Sequence, residues 1–190
     1  MASKLRVDSI LPVDGAPTGG GGGIVQVVST NVDSTSDITL STQNSYYDIT
    51  PLTTTITTRS ANSKILVTAG IGGEANHEDY YLAFRCGRVV GGSLTYIFKG
   101  ADASSRTTCL SMGAQGYHTS DQNSTTSYQT YPNMLDSPNA AAGTAITYKF
   151  FVSSLGGNSA NYYLNRTSGN TDAQSHERTF SYLTLMEVSA

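Results

Sequence analysis

From residue 24 to the end of the chain, apolar residues recur at every second position. Ile65, Val67, Ala69 and Ile71 alternate with Leu66, Thr68 and Gly70, and Tyr80, Leu82, Phe84 and Cys86 with Tyr81, Ala83 and Arg85. Ile146, Tyr148, Phe150 and Val152 alternate with Thr147, Lys149 and Ser153. Leu94, Tyr96 and Phe98 make a further set, and Phe180, Tyr182, Thr184, Met186 and Val188 close the chain. A two-residue period of β-branched and aromatic side chains puts one face of each strand on a core. Clusters of Gly, Asn, Ser and Asp divide the sets, as at Gly72-Gly73 and Gly91-Gly92, and such clusters form turns. No segment holds an i, i+3, i+4, i+7 apolar pattern. The spacing predicts an all-β domain over residues 24–190. Roughly eight to ten short strands suggest a sandwich or a jelly roll.

The closing strand departs from simple alternation. Tyr182 and Met186 fall on one face, Leu183 and Leu185 on the other. Apolar residues on both faces imply cover on both sides. That cover is either the domain's own loops or another subunit, and on the second reading Tyr182, Leu183, Leu185 and Met186 form a subunit interface.

Composition changes abruptly at residues 19–23, which are all glycine. Five glycines in a row are too free to hold a helix or strand, so they read as a linker. Ahead of them, residues 1–18 carry Leu5, Arg6, Val7, Asp8, Ile10 and Leu11 with strand-like alternation, then turn signals at Pro12, Asp14-Gly15 and Pro17. This segment is too short to make a core and needs another surface to dock on.

The 190 residues are 38% hydrophobic, 13% charged and carry a net charge of −3. A chain of this length fits one domain with a small appendage. The charge argues against nucleic-acid binding, which needs a basic stripe. No apolar run approaches the roughly 18 residues of a spanning helix, and the N-terminus lacks the apolar core of a secretory signal. Synthesis in a cytosol is therefore expected, with Cys86 and Cys109 as free thiols.

No catalytic motif stands out, and neither an enzyme nor a cofactor is expected. Gly91-Gly-Ser-Leu-Thr lacks the nucleophile-elbow pattern, and the glycine tract lacks the Lys-Ser/Thr of a phosphate-binding loop. His77-Glu78-Asp79 and His176-Glu177-Arg178 are dense in ionisable groups but lack metal-ligand spacing, even with His118 as a distant third ligand. Glu74, Glu78 and Asp79 read as solvated carboxylates near a turn. Tyrosine is the distinctive resource, with 12 residues and three doublets, Tyr46-Tyr47, Tyr80-Tyr81 and Tyr162-Tyr163. In a strand, a doublet sends one ring to each face. Tyr117, Tyr128 and Tyr131 flank the polar stretch 118–127, and with Asp121, Asn123 and Asn133 they offer stacking and hydrogen bonding to a sugar.

The opening Ser3-Lys-Leu-Arg-Val-Asp-Ser-Ile-Leu-Pro-Val-Asp-Gly, with the Gly-rich Ile24-Val-Gln-Val-Val that follows, resembles the N-terminal anchor of tailed-bacteriophage fibre proteins, those of cyanobacterial phages above all. Asp48-Ile-Thr-Pro-Leu-Thr-Thr-Thr-Ile-Thr, Ser63-Lys-Ile-Leu-Val, Tyr81-Leu-Ala-Phe-Arg-Cys-Gly, Leu135-Asp-Ser-Pro, Ala145-Ile-Thr-Tyr-Lys-Phe and Leu183-Thr-Leu-Met-Glu-Val extend the resemblance along nearly the whole chain. The resemblance implies a homotrimeric jelly-roll head like those of C1q and tumour necrosis factor. It implies a virion structural protein, made in the host cytoplasm, mounted by its N-terminus on other phage structural proteins. It also implies a head displayed to host-surface glycan or protein, without membrane insertion. A long fibre shaft is missing, which favours a short fibre, a neck appendage or a capsid or tail decoration without receptor activity.

Overall fold

The computed structural model describes residues 23–76, 82–102, 104–113, 126–156, 160–174 and 176–189. These residues form strands and no helix. In chain order the strands are β1 (Ile24–Val32), β2 (Ser36–Leu40), β3 (Tyr47–Thr57), β4 (Lys64–Ala75), β5 (Leu82–Val90), β6 (Ser93–Ile97), β7 (Ser111–Gly113), β8 (Ser127–Asp136), β9 (Ala145–Ser154), β10 (Ala160–Leu164) and β11 (Ser181–Val188).

All pairings are antiparallel, and they build two sheets. In the first, β1 pairs β11, β11 pairs β4, and β8 closes the other side of β4. β2 pairs β10, and β10 pairs β4 beyond the point where β11 begins. Ser181 lies opposite Val32, and Leu164 lies opposite Ser36. β10 and β11 therefore run end to end as one row, as do β1 and β2, and this sheet is four rows wide. The second sheet runs β3-β9-β5-β6, with β7 beside β6 on the same edge of β5. Four rows facing four rows, all antiparallel, make the jelly-roll sandwich that the alternation predicts.

The core lies where the predicted inward sets meet. Ile65, Val67, Ala69 and Ile71 of β4 face Phe84 and Cys86 of β5 and Ile146, Tyr148, Phe150 and Val152 of β9, all fully buried. Each large apolar side chain withdrawn from water in this way contributes about 1.5–3 kcal/mol. Rings interlock across the layers: Phe84 meets Tyr162 edge-on at 5.8 Å, and Phe150 stacks on Tyr131 at 5.4 Å. Polar clasps close both open edges. Along one, the Thr54 hydroxyl lies 2.8 Å from Thr30 Oγ1 and 3.3 Å from the Leu183 carbonyl. Along the other, Asp136 accepts from Arg88 at 2.8 and 2.9 Å and from the Tyr148 hydroxyl at 2.7 Å.

One predicted inward set is turned over. Leu94 and Tyr96 of β6 face outward, where Leu94 and Phe151 cover Gly87; a Cβ there would lie 2.7 Å from each. Phe98 takes φ 55°, which ends the strand and lets its ring pack against the core. The outer surface of this sheet also holds Arg85, whose guanidinium lies 3.9 Å from the Tyr46 ring centroid and 4.8 Å from that of Tyr96.

Candidate functional site

Two surfaces of the first sheet stand out: its outer face and a looped excursion at one end of that face. The pairing register assembles the face row by row. Val27 of β1 lies opposite Met186 of β11, Met186 opposite Leu66 of β4, and Leu66 opposite Leu135 of β8. This apolar row crosses the whole sheet, and it is open to water: Val27 is 56% exposed and Leu135 50%. The next row is uncharged and polar, with Ser29, Thr184 and Thr68 aligned and the Ser29 and Thr184 hydroxyls 2.8 Å apart. Beyond it lies an aromatic tile. Tyr182 and Tyr128 lie over Gly70, where a Cβ would meet the Tyr128 hydroxyl and come within 2.6 Å of the Tyr182 ring. Phe180 stacks on Tyr182 at 6.4 Å. Burial and the neighbouring Tyr182 push the Tyr128 hydroxyl above the usual phenol range. From Lys64 at one end of β4 to Glu74 near the other, the face presents no charged side chain among the described residues.

The excursion, residues 165–180, leaves the row between β10 and β11 and returns to it. Asn165 closes its neck. This side chain is fully buried and its backbone sits at φ 58°, a conformation that Asn tolerates better than other non-glycine residues. Its amide donates to the Val32 carbonyl at 2.8 Å and the Ser34 carbonyl at 3.0 Å, and its oxygen accepts from the Ser181 hydroxyl at 2.6 Å. Its backbone N–H donates to Gly72 O, and its carbonyl accepts from Thr179 N. One residue thus ties β1 and β11 through its side chain and β4 through its backbone, just past the end of β10 where the strand row is interrupted.

Arg166 secures the next step. Its guanidinium donates to Asp37 Oδ1 at 2.7 Å and to the Thr167 and Ser168 carbonyls, and it lies 4.1 Å from the Tyr163 ring centroid. The Ser168 N–H donates to the buried Glu74 carboxylate at 2.5 Å. Glu74 is therefore a tie between β4 and the excursion, not the solvated turn carboxylate that the sequence suggests. At the far side, Glu177 accepts from Thr126 N–H and hydroxyl at 2.8 and 2.7 Å. Inside the excursion is a polar hollow lined by Thr167, Asn170, Thr171, Asp172, His176 and Arg178.

The interface residues expected from the sequence divide between the two faces of β11. Leu183 and Leu185 are 0% exposed in the single chain; they point into the chain's own core and offer nothing to a second copy. Tyr182 and Met186 lie half-buried on the outer face. Strand alternation imposes this division, and two apolar sets signal two covered faces without telling which set is internal. The expected sugar-contact residues divide likewise. Tyr131 is buried, stacks on Phe150 and shares a 2.5 Å hydrogen bond with Ser111, and burial pushes its hydroxyl up to about 12. It is a core residue. Tyr128 and Asn133 are exposed, Tyr128 on the aromatic tile and Asn133 beside the β-bulge of β8. Tyr117, Asp121 and Asn123 lie outside the described residues, as do Leu5, Arg6, Val7, Asp8, Ile10 and Leu11 of the expected docking segment and the cluster His77-Glu78-Asp79 with His118. Among the described residues, no three His, Cys, Asp or Glu side chains gather as a metal site. The tyrosine doublet Tyr162-Tyr163 divides as alternation requires, one ring in the core and one beneath Arg166.

No family model matches the sequence, and no curated protein matches it. Among solved structures, the chain is similar to infectious bursal disease virus Gx strain, with 12% identity and a TM-score of 0.40 over 100% of this chain and 41% of that one. The VP2 subviral particle of infectious bursal disease virus aligns with 13% identity and a TM-score of 0.40 over 86% of this chain and 41% of that one. T=1 particles derived from the virus align with 13% identity and a TM-score of 0.43 over 100% and 41%. The chain thus spans about two fifths of these proteins, and at such scores the likeness carries no argument about family or function.

Proposed function

We propose that the chain is a structural component of a bacteriophage virion, a short homotrimeric fibre or knob whose copies meet through the outer face of the first sheet. The observation that carries this reading is the uncharged face itself. An apolar row four strands wide, next to hydroxyl and tyrosine rows, resembles the composition of a subunit contact more than that of a solvated sheet. Tyr182 and Met186 belong to it, joined by Val27, Leu66 and Leu135. The partner is a second and third copy of the same chain: around a threefold axis each copy turns this uncharged face toward its neighbours, and no charge repulsion opposes the contact. The opposite sheet carries Arg85, Lys149 and Asp48 on its outside and suits solvent.

In this reading residues 1–18 dock the trimer on other virion proteins, pairing as an added strand or lying in a groove. The glycines at 19–23 absorb the symmetry mismatch between a threefold head and its mount. The head is displayed outward to host-surface glycan or protein, where many weak contacts on one particle sum, and it performs no catalysis. Deletion of residues 1–18 tests the docking: the shortened chain keeps its folded, self-associated head and no longer enters particles. Its continued entry overturns the docking. Adsorption of the intact protein to host cells separates a receptor-binding head from a decoration that only binds virion subunits.

A further inference from the structure

We infer that the hollow inside the 165–180 excursion binds a carboxylate-bearing saccharide of the uronic-acid kind. The inference deepens the reading of an outward-displayed head and rests on it. Irregular insertions of this length are uncommon in compact domains and are usually functional. This one interrupts a strand row, and polar bonds tie its described residues to the sheet. Asn165, Arg166 and Glu74 fix its base, as described above. Its walls are braced from within: Ala173 N donates to Thr171 O and His176 N to Ala173 O, each at 2.9 Å. His176 Nδ1 lies 2.6 Å from the Thr171 hydroxyl and 3.0 Å from its carbonyl. A binding site built on such a frame needs little ordering when a ligand arrives.

The hollow is a partly open surface depression of about 340 Å³, within the size range of small-ligand sites. Its lining selects the ligand's chemistry. Nothing apolar larger than Ala173 faces it, so a hydrophobic ligand finds no partner. The exposed Asn170 amide and the Thr171 hydroxyl, which is steadied by His176, match sugar hydroxyls, while the buried Thr167 hydroxyl is held by the Gly169 carbonyl and shapes the floor. Arg178 donates to Asn170 Oδ1 at 2.6 Å and forms no ion pair among the described residues. A guanidinium has five donors in a planar fork, so Arg178 retains donors for a carboxylate, which that fork fits in bidentate fashion. Asp172 opposes a bare inorganic anion but accepts from hydroxyls. A ligand with a carboxylate at one end and hydroxyls at the other satisfies both.

The test is calorimetric titration of the full-length protein with a galacturonic-acid oligosaccharide, alongside NMR of the His176 imidazole. A neutral galactose oligosaccharide and sodium sulfate are titrated in parallel. The expected result is saturable binding of the acidic oligosaccharide with a shift at His176, weaker by roughly tenfold for the neutral sugar and in Arg178→Gln, the scale of a lost charge-assisted pair. Asp172→Asn serves as a second variant on the exposed rim, weakening the sugar while admitting sulfate. The inference is overturned by no saturable binding, by equal binding to the neutral sugar or sulfate, or by equal affinity in both variants. Sedimentation of the same samples keeps the readings apart: a trimer that ignores the sugar sinks only the hollow, and a monomer that binds it sinks only the assembly.

Discussion

Replacing Asn165 tests whether the excursion's neck holds the sheet together. Asn165→Ala removes two donor bonds, to the Val32 and Ser34 carbonyls, and the acceptor for Ser181. It also leaves an alanine at φ 58°. An unpaired buried polar group costs roughly 1–3 kcal/mol, and the left-handed backbone adds about 1 kcal/mol for alanine. Together these give a destabilisation of about 2–4 kcal/mol for Asn165→Ala. Asn165→Gly loses the same bonds but not the backbone preference, so it retains about 1 kcal/mol more than the alanine variant. Urea unfolding followed by circular dichroism measures both, and limited proteolysis locates the first opening, expected within residues 165–180. Two variants within 1 kcal/mol of the parent would refute the neck's role, and a glycine variant as weak as alanine would refute the backbone argument.

Gly72→Ala places a Cβ 2.2 Å from Thr179 Oγ1 and 2.7 Å from its Cβ, and thermal unfolding should show a loss of about 1–3 kcal/mol from overpacking. Tyr148→Phe deletes the hydroxyl that donates to Asp136 and should cost about 1.5–3 kcal/mol by the same assay. Burial alone would raise the Glu187 carboxyl. Hydrogen bonds from Ser63, the Ser60 and Arg59 N–H groups and the Gln26 amide outweigh it and hold it below its ordinary value of 4.5. A carboxyl depressed on folding stabilises the fold above its ordinary value, and that stabilisation is lost as pH falls through the folded value. Unfolding measured from pH 6 downward, on the order of one unit per step across the carboxylate range, should therefore decline more steeply in the parent than in Glu187→Gln. Equal slopes would remove this residue from the acid response.

The strands legible in the sequence are those with one dry and one wet face. Ile65 to Ile71 and Ile146 to Val152 alternate cleanly because only one side of each meets the core. β6 misleads because Leu94 and Tyr96 cover Gly87 and Phe151 from outside, and periodicity counts an apolar outer layer as core. The same ambiguity hid the true division of β11, where Leu183 and Leu185 are interior and Tyr182 and Met186 exterior. Tyr128 and Tyr131 look equivalent beside a polar stretch, yet an odd spacing on one strand sends one to solvent and the other into the core. The excursion left little trace in the sequence. Asn165, Arg166 and Glu74 hold it through backbone carbonyls and N–H groups, and such bonds have no hydrophobic period. The Ser-, Gly-, Asn- and Asp-containing run over residues 168–172 reads as a turn and carries no sign of a buried neck.

The central claim is that the outer face of the first sheet joins three copies. Sedimentation equilibrium of the full-length protein at micromolar concentration addresses it directly, with the Leu66→Lys, Met186→Lys double variant as comparison. The account predicts three times the chain mass for the parent, and a folded single chain for the variant. A parent that sediments at the mass of one chain, or a variant that still sediments as three, would contradict it.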